Sequence, residues 1–125
     1  MTDTIADLIN RIMNGKRAEL PNIKIPFSRV KEAILRVLKN EGYIYEIDND
    51  KENNLLVVHL NGARKEFQNI VRMSKPGRRF YVKSNNIPRP KGGYGMVVIS
   101  TPQGVISGNK ARRDCLGGEV ICEVY

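Results

Sequence analysis

Apolar residues recur at helical spacing in two stretches of the N-terminal half and predict two amphipathic helices. We expect the first to begin at Thr4, with Asp7 as its capping partner, and to end at Asn14-Gly15; its stripe consists of Ile5, Leu8, Ile9, Ile12 and Met13. We expect the second to have Ser28 as its N-cap and to end at Gly42. Its inward face would contain Val30, Ala33, Ile34, Val37 and Leu38, and its outer face Arg29, Lys31, Arg36 and Lys39.

Shorter apolar or alternating runs predict strands. The predicted strands cover residues 22–26, 43–48, 54–60, 67–73, 78–83, 96–101, 105–107 and 119–125. The turn Lys75-Pro76-Gly77 separates two of them, and a Pro/Gly-rich loop covers residues 84–95. A short helix capped by Asn109 is expected to reach Asp114. In the last strand we expect Val120, Cys122 and Val124 to face inward.

This order of elements predicts an α+β fold of two small lobes, which a chain of 125 residues can form. The N-terminal lobe, residues 1–66, would be helix-strand-helix-strand-strand. The C-terminal lobe, residues 67–125, would be mainly β with a short helix.

Positive charge is concentrated in the C-terminal half. The formal net charge is +8, and residues 63–125, with twelve basic and four acidic residues, account for all of it. No acidic residue lies between Glu66 and Asp114, whereas ten basic residues do. Because unopposed like charges repel, solvated faces usually mix both signs. The single-sign stretch therefore favours a polyanionic partner, either nucleic acid or an anionic membrane surface.

Several other classes of protein are disfavoured. Cys115 and Cys122 do not have the spacing of metal ligands, and two cysteines are too few for the disulfides that stabilise a small secreted fold. This cysteine content indicates a reducing compartment. We find neither a signal peptide nor an apolar run long enough for a membrane span. His59, within an apolar strand, has no metal-binding neighbours and is more typical of a packing or edge position than of a base. We therefore predict no metal, no cofactor and no catalytic residue.

Four features of the basic half suggest a nucleic-acid surface, and each has a structural alternative. Lysine and arginine around the turn, namely Lys75, Arg78, Arg79 and the nearby Lys83, would contact phosphates. Tyr81 offers a face for base stacking, or is an ordinary sheet aromatic. Ser100-Thr101 would supply hydroxyls to sugar 2′-hydroxyls, or serve only the turn at Pro102. Gly117-Gly118 would allow close backbone approach to a ligand, or form a helix C-cap.

Four motifs in the right order resemble the family of the eighth protein of the small ribosomal subunit, in its bacterial or organellar form. The likeness runs almost from end to end of the chain. The first helix, the central basic hairpin, the signature loop and the C-terminal motif match residues 3–15, 72–81, 93–105 and 111–122 respectively.

The resemblance implies a two-lobe protein that binds the central domain of small-subunit rRNA directly, early in assembly. Carried over by position, the RNA-binding residues would be Ser100, Thr101, Gly117, Gly118, Glu119 and Tyr81 with the neighbouring cations, and secondarily Arg29 and Lys31. The implied partners are neighbouring small-subunit proteins and a mimic of the rRNA site in the protein's own messenger, whose translation it would repress. We expect a monomer within the particle, located on ribosomes of the cytoplasm or of an organellar stroma or matrix.

The chain departs from the family pattern at three places. Pro102 stands where the commonest loop has a third hydroxyl residue, Thr4 where proline is frequent, and Met13 where arginine is frequent. Two rival functions are an RNA-processing or RNA-modifying enzyme using Glu119 or Asp114, and a DNA-binding protein whose recognition helix spans residues 29–39. The mixed charges on the outer face of that helix disfavour the second rival.

Overall fold

A computed structural model describes residues 3–125, and the elements within that range are three α-helices and eight β-strands. The contacts divide the chain into two compact units, one formed by Thr4–Glu66 and the other by Phe67–Tyr125 together with Asp3. The sheets are antiparallel throughout. The predicted α+β class is confirmed, with a helical N-terminal part and a β-rich C-terminal part that contains one short helix.

The unit Thr4–Glu66 packs two helices on a three-stranded sheet. Its elements are α1 (Thr4–Arg17), β1 (Asn22–Pro26), α2 (Arg29–Asn40), β2 (Glu46–Asp50) and β3 (Leu55–His59). The strand order is β1-β3-β2. Ile25 lies opposite Leu56 and Ile47 opposite Val58, so these buried side chains share one face of the sheet. The predicted strand at 22–26 is confirmed to the residue.

Helix α1 continues past its predicted end at Asn14-Gly15. A Cβ atom at Gly15 would lie 2.7 Å from Ile23 Cγ2 and 3.1 Å from Leu60 Cδ1, so the glycine serves close packing instead of termination. The chain turns only at Glu19, whose φ of 55° lies in the left-handed region. The helix also starts at Thr4 itself, so Thr4 is its first residue instead of its cap.

Helix α2 is capped as predicted, but its buried face is rotated from the expected one. The Ser28 hydroxyl accepts a hydrogen bond from the Lys31 amide at 3.1 Å. Lys31, expected on the outer face, is only 7% exposed, whereas Val30, expected inward, is 50% exposed. The buried face is centred on Ile34, Leu35 and Leu38, and Lys31 lies three, four and seven residues before them. Its aliphatic stem therefore joins this stripe.

The strand predicted at 43–48 is shifted toward the C-terminus. The Tyr43 amide donates to the Leu38 carbonyl at 2.9 Å, and Gly42 adopts a φ of 92°. This bond closes the end of α2 as a left-handed glycine cap does, so Tyr43 is not available to the sheet. Strand β2 consequently starts at Glu46.

The unit Phe67–Tyr125 is organised around its last strand. Its elements are β4 (Ile70–Arg72), β5 (Tyr81–Val82), β6 (Met96–Thr101), β7 (Gly104–Ser107), α3 (Gly108–Arg113) and β8 (Gly118–Val124), with 3-10 turns at Ser84–Asn86 and Pro90–Gly93. The main path is β4-β8-β6-β7, and β5 also pairs with β8. A core of Ile87, Val97, Ile99, Ala111 and Val120 lies on one face of the sheet.

The two strands predicted around Lys75-Pro76-Gly77 are shorter than expected and do not form a ladder with each other. Both pair with β8: Ile70 lies opposite Val124, and Tyr81 opposite Glu119. Between them, Lys75 and Arg78 exchange two backbone hydrogen bonds of 3.0 Å and close a tight turn. The turn thus lies between two segments, β4 and β5, that pair in succession with the same edge of β8. We call residues 75–79 the basic turn.

Two further predictions in this unit are wrong in detail. Helix α3 is capped by Ser107 instead of Asn109, because the Ser107 hydroxyl accepts from the Lys110 amide at 3.2 Å. Ile121, expected to face away from the core, is 4% exposed. It has no partner on β6, because Val98 lies opposite Cys122 and Ile99 opposite Val120. This extra residue forms a β-bulge.

Loss of the N-cap of α2 should measurably weaken the first unit. Ser28→Ala is expected to lower the free energy of unfolding by about 1 kcal/mol, because the Lys31 amide loses its acceptor. Ser28→Asp keeps an acceptor and should stay close to the unchanged protein. Urea denaturation of the three proteins measures the difference; equal stabilities would contradict this account of the cap.

The two thiols should differ sharply in reactivity. Cys115 is exposed, whereas Cys122 is buried in β8, where desolvation raises the pKa of its thiol to about 12. Because the thiolate is the reactive form, a disulfide reagent near neutral pH should modify one thiol per native chain, and none in Cys115→Ser. The second thiol should react only after denaturation. Equal labelling rates in the native protein would contradict the burial of Cys122.

Candidate nucleic-acid interface

Three predicted site residues form one row across three strands. Glu119 on β8 lies opposite Tyr81 on β5 and opposite Ser100 on β6. Directly opposed residues project from the same face of a sheet. The next residues along the strands, Val120 and Ile99, belong to the apolar core on the other face. Tyr81, Glu119 and Ser100 therefore form a cross-strand row on the face opposite that core.

Gly117 and Gly118 allow the neighbouring backbones to approach the start of β8. A Cβ atom at Gly118 would overlap the Ser100 carbonyl, and one at Gly117 would lie 2.6 Å from the Val82 carbonyl oxygen. The alternative of a helix C-cap is excluded. Helix α3 ends at Arg113, and it is Cys115, with a φ of 56°, that takes the left-handed conformation after it. The glycines thus bring β5 and β6 to either side of β8.

The two predicted hydroxyl residues differ in availability. The Thr101 hydroxyl donates to the Gly104 carbonyl at 2.8 Å and accepts from the Gln103 amide at 3.2 Å. Thr101 is 8% exposed, so its single hydroxyl hydrogen is used inside the turn. Ser100 is half-buried and, among residues 3–125, its hydroxyl has no hydrogen-bond partner. Of the two, Ser100 is the hydroxyl free to meet a ligand.

The predicted cations of this unit lie beside the cross-strand row. Lys75, Arg78 and Arg79 are exposed on the basic turn, and Lys83 is exposed just beyond β5. Tyr81 is 69% exposed, so its ring is accessible for stacking. The part of the chain that the structure describes offers Arg78 no ion pair.

Glu119 is held at the neck of the basic turn. Its Oε2 accepts hydrogen bonds from the Ser74 hydroxyl and from Arg79 Nη1, the latter at 3.1 Å. The Ser74 hydroxyl in turn accepts from the Phe80 amide at 3.2 Å. Ser74 is fully buried. Ser74 is not among the residues predicted from the sequence. It stands beside the basic turn, and only the strand register shows that it meets Glu119.

The two N-terminal candidates belong to the other unit and differ from each other. Arg29 is exposed at the start of α2. Lys31 is buried in the apolar stripe of that helix, which corrects its expected place on an outer basic face. Only Arg29 presents its charge to solvent as the sequence predicted.

Catalytic arrangements are not visible around the acidic candidates. Glu119 is bound to a cation and a hydroxyl of its own chain, and Asp114 is exposed at the end of α3. Residues 3–125 contain no group of three or more His, Cys, Asp or Glu residues arranged to hold a metal ion. His59 ends the central strand β3, with Nε2 2.8 Å from an Asp48 carboxylate oxygen. Within the same residues, no helix has the length and apolar character needed to cross a bilayer.

Comparison with known proteins gives one consistent result. A family model described as Ribosomal protein S8 matches residues 3–125. The chain is 47% identical to the small ribosomal subunit protein uS8 of Rhodopirellula baltica, over 99% of this chain and 98% of that one. It is 44% identical to the protein of the same name from Moorella thermoacetica, over the full length of both. The uS8 protein of Kosmotoga olearia is also 44% identical, over 99% of this chain.

A side chain at Gly118 should disrupt the cross-strand row. Gly118→Ala is expected to lower the free energy of unfolding by at least about 2 kcal/mol, because the added methyl group collides with backbone atoms of Ser100. Gly77→Ala is the matched control: a Cβ atom there meets nothing within 4 Å, and its stability should change by no more than about 0.5 kcal/mol. Chemical denaturation compares the two, and similar losses would argue against close approach at Gly118.

Proposed function

We propose a function on the premise that this chain belongs to the ribosomal protein S8 family, as the family model and the relatives show. Members of this family are structural components of the small ribosomal subunit and not enzymes. Our proposal is that this protein binds the central domain of small-subunit rRNA directly through residues 67–125 and aids assembly of the subunit. This assigns RNA binding to the second of the two predicted lobes.

The observation that carries the proposal is the cross-strand row beside the basic turn. RNA duplexes have a deep, narrow major groove that excludes side chains, so proteins recognise distorted pairs, 2′-hydroxyls and unstacked bases. A short hydroxyl and an exposed aromatic ring, held in one row with Glu119 between them, suit these targets. The adjacent cations suit the phosphates, which contribute most of the affinity and fix the orientation.

Within this surface, each group has a separate task. Ser100 exchanges hydrogen bonds with a sugar or base edge, and Tyr81 stacks on an unpaired base, an interaction of about 1–3 kcal/mol. Lys75, Arg78, Arg79 and Lys83 contact phosphates. Gly117-Gly118 lets β5 and β6 lie close to β8, which sets the spacing of these groups toward the RNA. Thr101 acts through the shape of its turn, since its hydroxyl is already bonded.

Further contacts follow from the same proposal. Arg29 adds a phosphate contact from the N-terminal lobe, whereas buried Lys31 supports its helix. Neighbouring small-subunit proteins are the protein partners, and the protein acts as a monomer within the particle. A mimic of the rRNA site in its own messenger would use the same row and repress translation. Because the relatives named above come from bacteria, the ribosomes concerned are bacterial or, by descent, organellar.

The most direct test is sedimentation of the native protein. It should migrate with small ribosomal subunits on a sucrose gradient and return to the top of the gradient after ribonuclease treatment. Sedimentation apart from small ribosomal subunits at low salt would overturn the proposed function.

Binding to purified RNA should depend strongly on salt. The probes are a transcript of the rRNA central domain and a random-sequence RNA of equal length. The logarithm of the association constant should fall by roughly 0.7 to 0.9 per phosphate contact for each logarithmic unit of salt. An affinity that does not vary with salt would rule out phosphate contacts as its main source.

Two variants should separate positioning on phosphates from recognition. Arg78→Ala is expected to weaken both RNAs alike and to reduce the salt dependence by about one contact. Ser100→Ala is expected to weaken mainly the central-domain transcript, by roughly 2- to 12-fold, which corresponds to the loss of one hydrogen bond. If both variants affected the two RNAs equally, this division of tasks would be wrong.

A further inference from the structure

The basic turn leaves and rejoins the edge of the sheet at a single residue of β8. The Ser74 amide donates to the Val120 carbonyl at 3.1 Å, and the Val120 amide donates to the Phe80 carbonyl at 2.9 Å. The five residues of the turn lie outside this ladder, and only the Lys75–Arg78 backbone pair holds them together internally. The direction in which the turn projects therefore depends on what fixes its neck.

Side chains close that neck around one carboxylate oxygen. Oε2 of Glu119 accepts hydrogen bonds from the Ser74 hydroxyl, at the start of the turn, and from Arg79 Nη1, at its end. The Ser74 hydroxyl also accepts a hydrogen bond from the Phe80 amide. We call Ser74, Arg79 and Glu119 the clasp. Ser74 is completely buried and the Glu119 side chain is 22% exposed, so water screens the buried part of the clasp poorly.

The clasp also reduces electrostatic repulsion within the basic turn. The basic turn carries Lys75, Arg78 and Arg79 and no acidic residue, so its side chains repel one another. Among the described residues, Glu119 is the only carboxylate paired with any of these three cations. It offsets part of the repulsion at the point where the turn joins the sheet.

We propose that Glu119 is a positioning residue for RNA binding, whose carboxylate holds the basic turn in the orientation that brings its cations to the phosphates. This inference rests on the proposed function and gives Glu119 a task different from direct contact with RNA. Its Oε2 accepts hydrogen bonds from Ser74 and Arg79, and Glu119 would act through those two residues.

For loss of the Glu119 carboxylate, the expected change in RNA affinity is opposite to the one expected from net charge alone. Removing a carboxylate from a cationic surface should tighten RNA binding if only net charge mattered. Removing the clasp should instead weaken binding, because the cations of the turn become disordered. Glu123 provides the matched control: it lies on the same strand, opposite Val71 and Val97, and away from the basic turn.

The experiment compares four variants with the unchanged full chain on the same two RNAs. Glu119→Ala should weaken binding of both by about tenfold and reduce its salt dependence, whereas Glu123→Ala should bind equally or more tightly. Glu119→Gln, which keeps an oxygen to accept from Ser74, should be partly rescued. Ser74→Ala should reproduce the weakening, although a fully buried residue cannot touch RNA.

The possible results separate the competing roles. If Glu119→Ala tightens binding as Glu123→Ala does, the positioning role is overturned. If Glu119→Ala weakens binding but Ser74→Ala and the salt dependence are unchanged, Glu119 contacts RNA directly and the proposal is again overturned. If the unchanged protein binds neither RNA in a salt-dependent way, the proposed function itself fails, which is a different pattern.

Amide exchange in the RNA-free protein provides an independent reading. Without the clasp, the Phe80 and Arg78 amides should exchange several-fold faster, while the amides of β6 should keep their protection and show that the variant is folded. Unchanged exchange at Phe80 in Glu119→Ala would overturn the proposal whatever the RNA measurements show.

Discussion

Strand β8 can pair closely with β5 and β6 at its start because Gly118, and Gly117 just before the strand, carry no side chain. Ser100 and Val82 bring their carbonyl oxygens so close to Gly118 and Gly117 that a methyl group at either position would collide with backbone. Backbone cannot move aside as a flexible side chain can, so this constraint is rigid. It fixes the separation of β5, β8 and β6, and with it the spacing of Tyr81, Glu119 and Ser100.

The charge distribution follows a different logic from the packing. Apolar residues of β6 and β8 are buried on both faces of the sheet, whereas the cations lie on a turn outside the strand ladder. An uncompensated positive surface slightly disfavours the compact state, and a polyanion relieves that cost when it binds. Glu119 belongs to both the sheet and the cationic surface: its backbone pairs with β6, and its carboxylate contacts Arg79.

Local patterns predicted the elements whose signals are local. Residues 22–26 and 96–101 are bounded by proline or glycine and were predicted to the residue, and the Ser28 cap was predicted from its hydroxyl. The errors concern residues whose structure is determined by contacts with residues distant in the sequence. Gly15 looks like a helix end until Ile23 packs on it, and Lys31 looks exposed until the helix is docked. The strands beside the basic turn look like a hairpin because their real partner, β8, lies 36 to 54 residues further along the chain (82 to 118, and 70 to 124). Most site candidates came from charge and turn patterns, and Glu119, Arg29 and Lys31 came from the family resemblance. Ser74 required the strand register.

The β-bulge at Ile121 has a consequence for how this surface tolerates change. If β8 alternated strictly from Cys122 backwards, Glu119 would fall opposite Thr101 and point into the core, and Val120 would take its place beside Ser100. The single additional residue therefore changes, between the two halves of the strand, which alternate side chains project from each face of the sheet. Strict alternation at the present length would thus exchange a polar row for an apolar one. Loss of Ile121, in contrast, would remove the bulge and still leave Glu119 opposite Ser100. The polar row therefore depends on the match between the length of β8 and its bulge, and not on length alone.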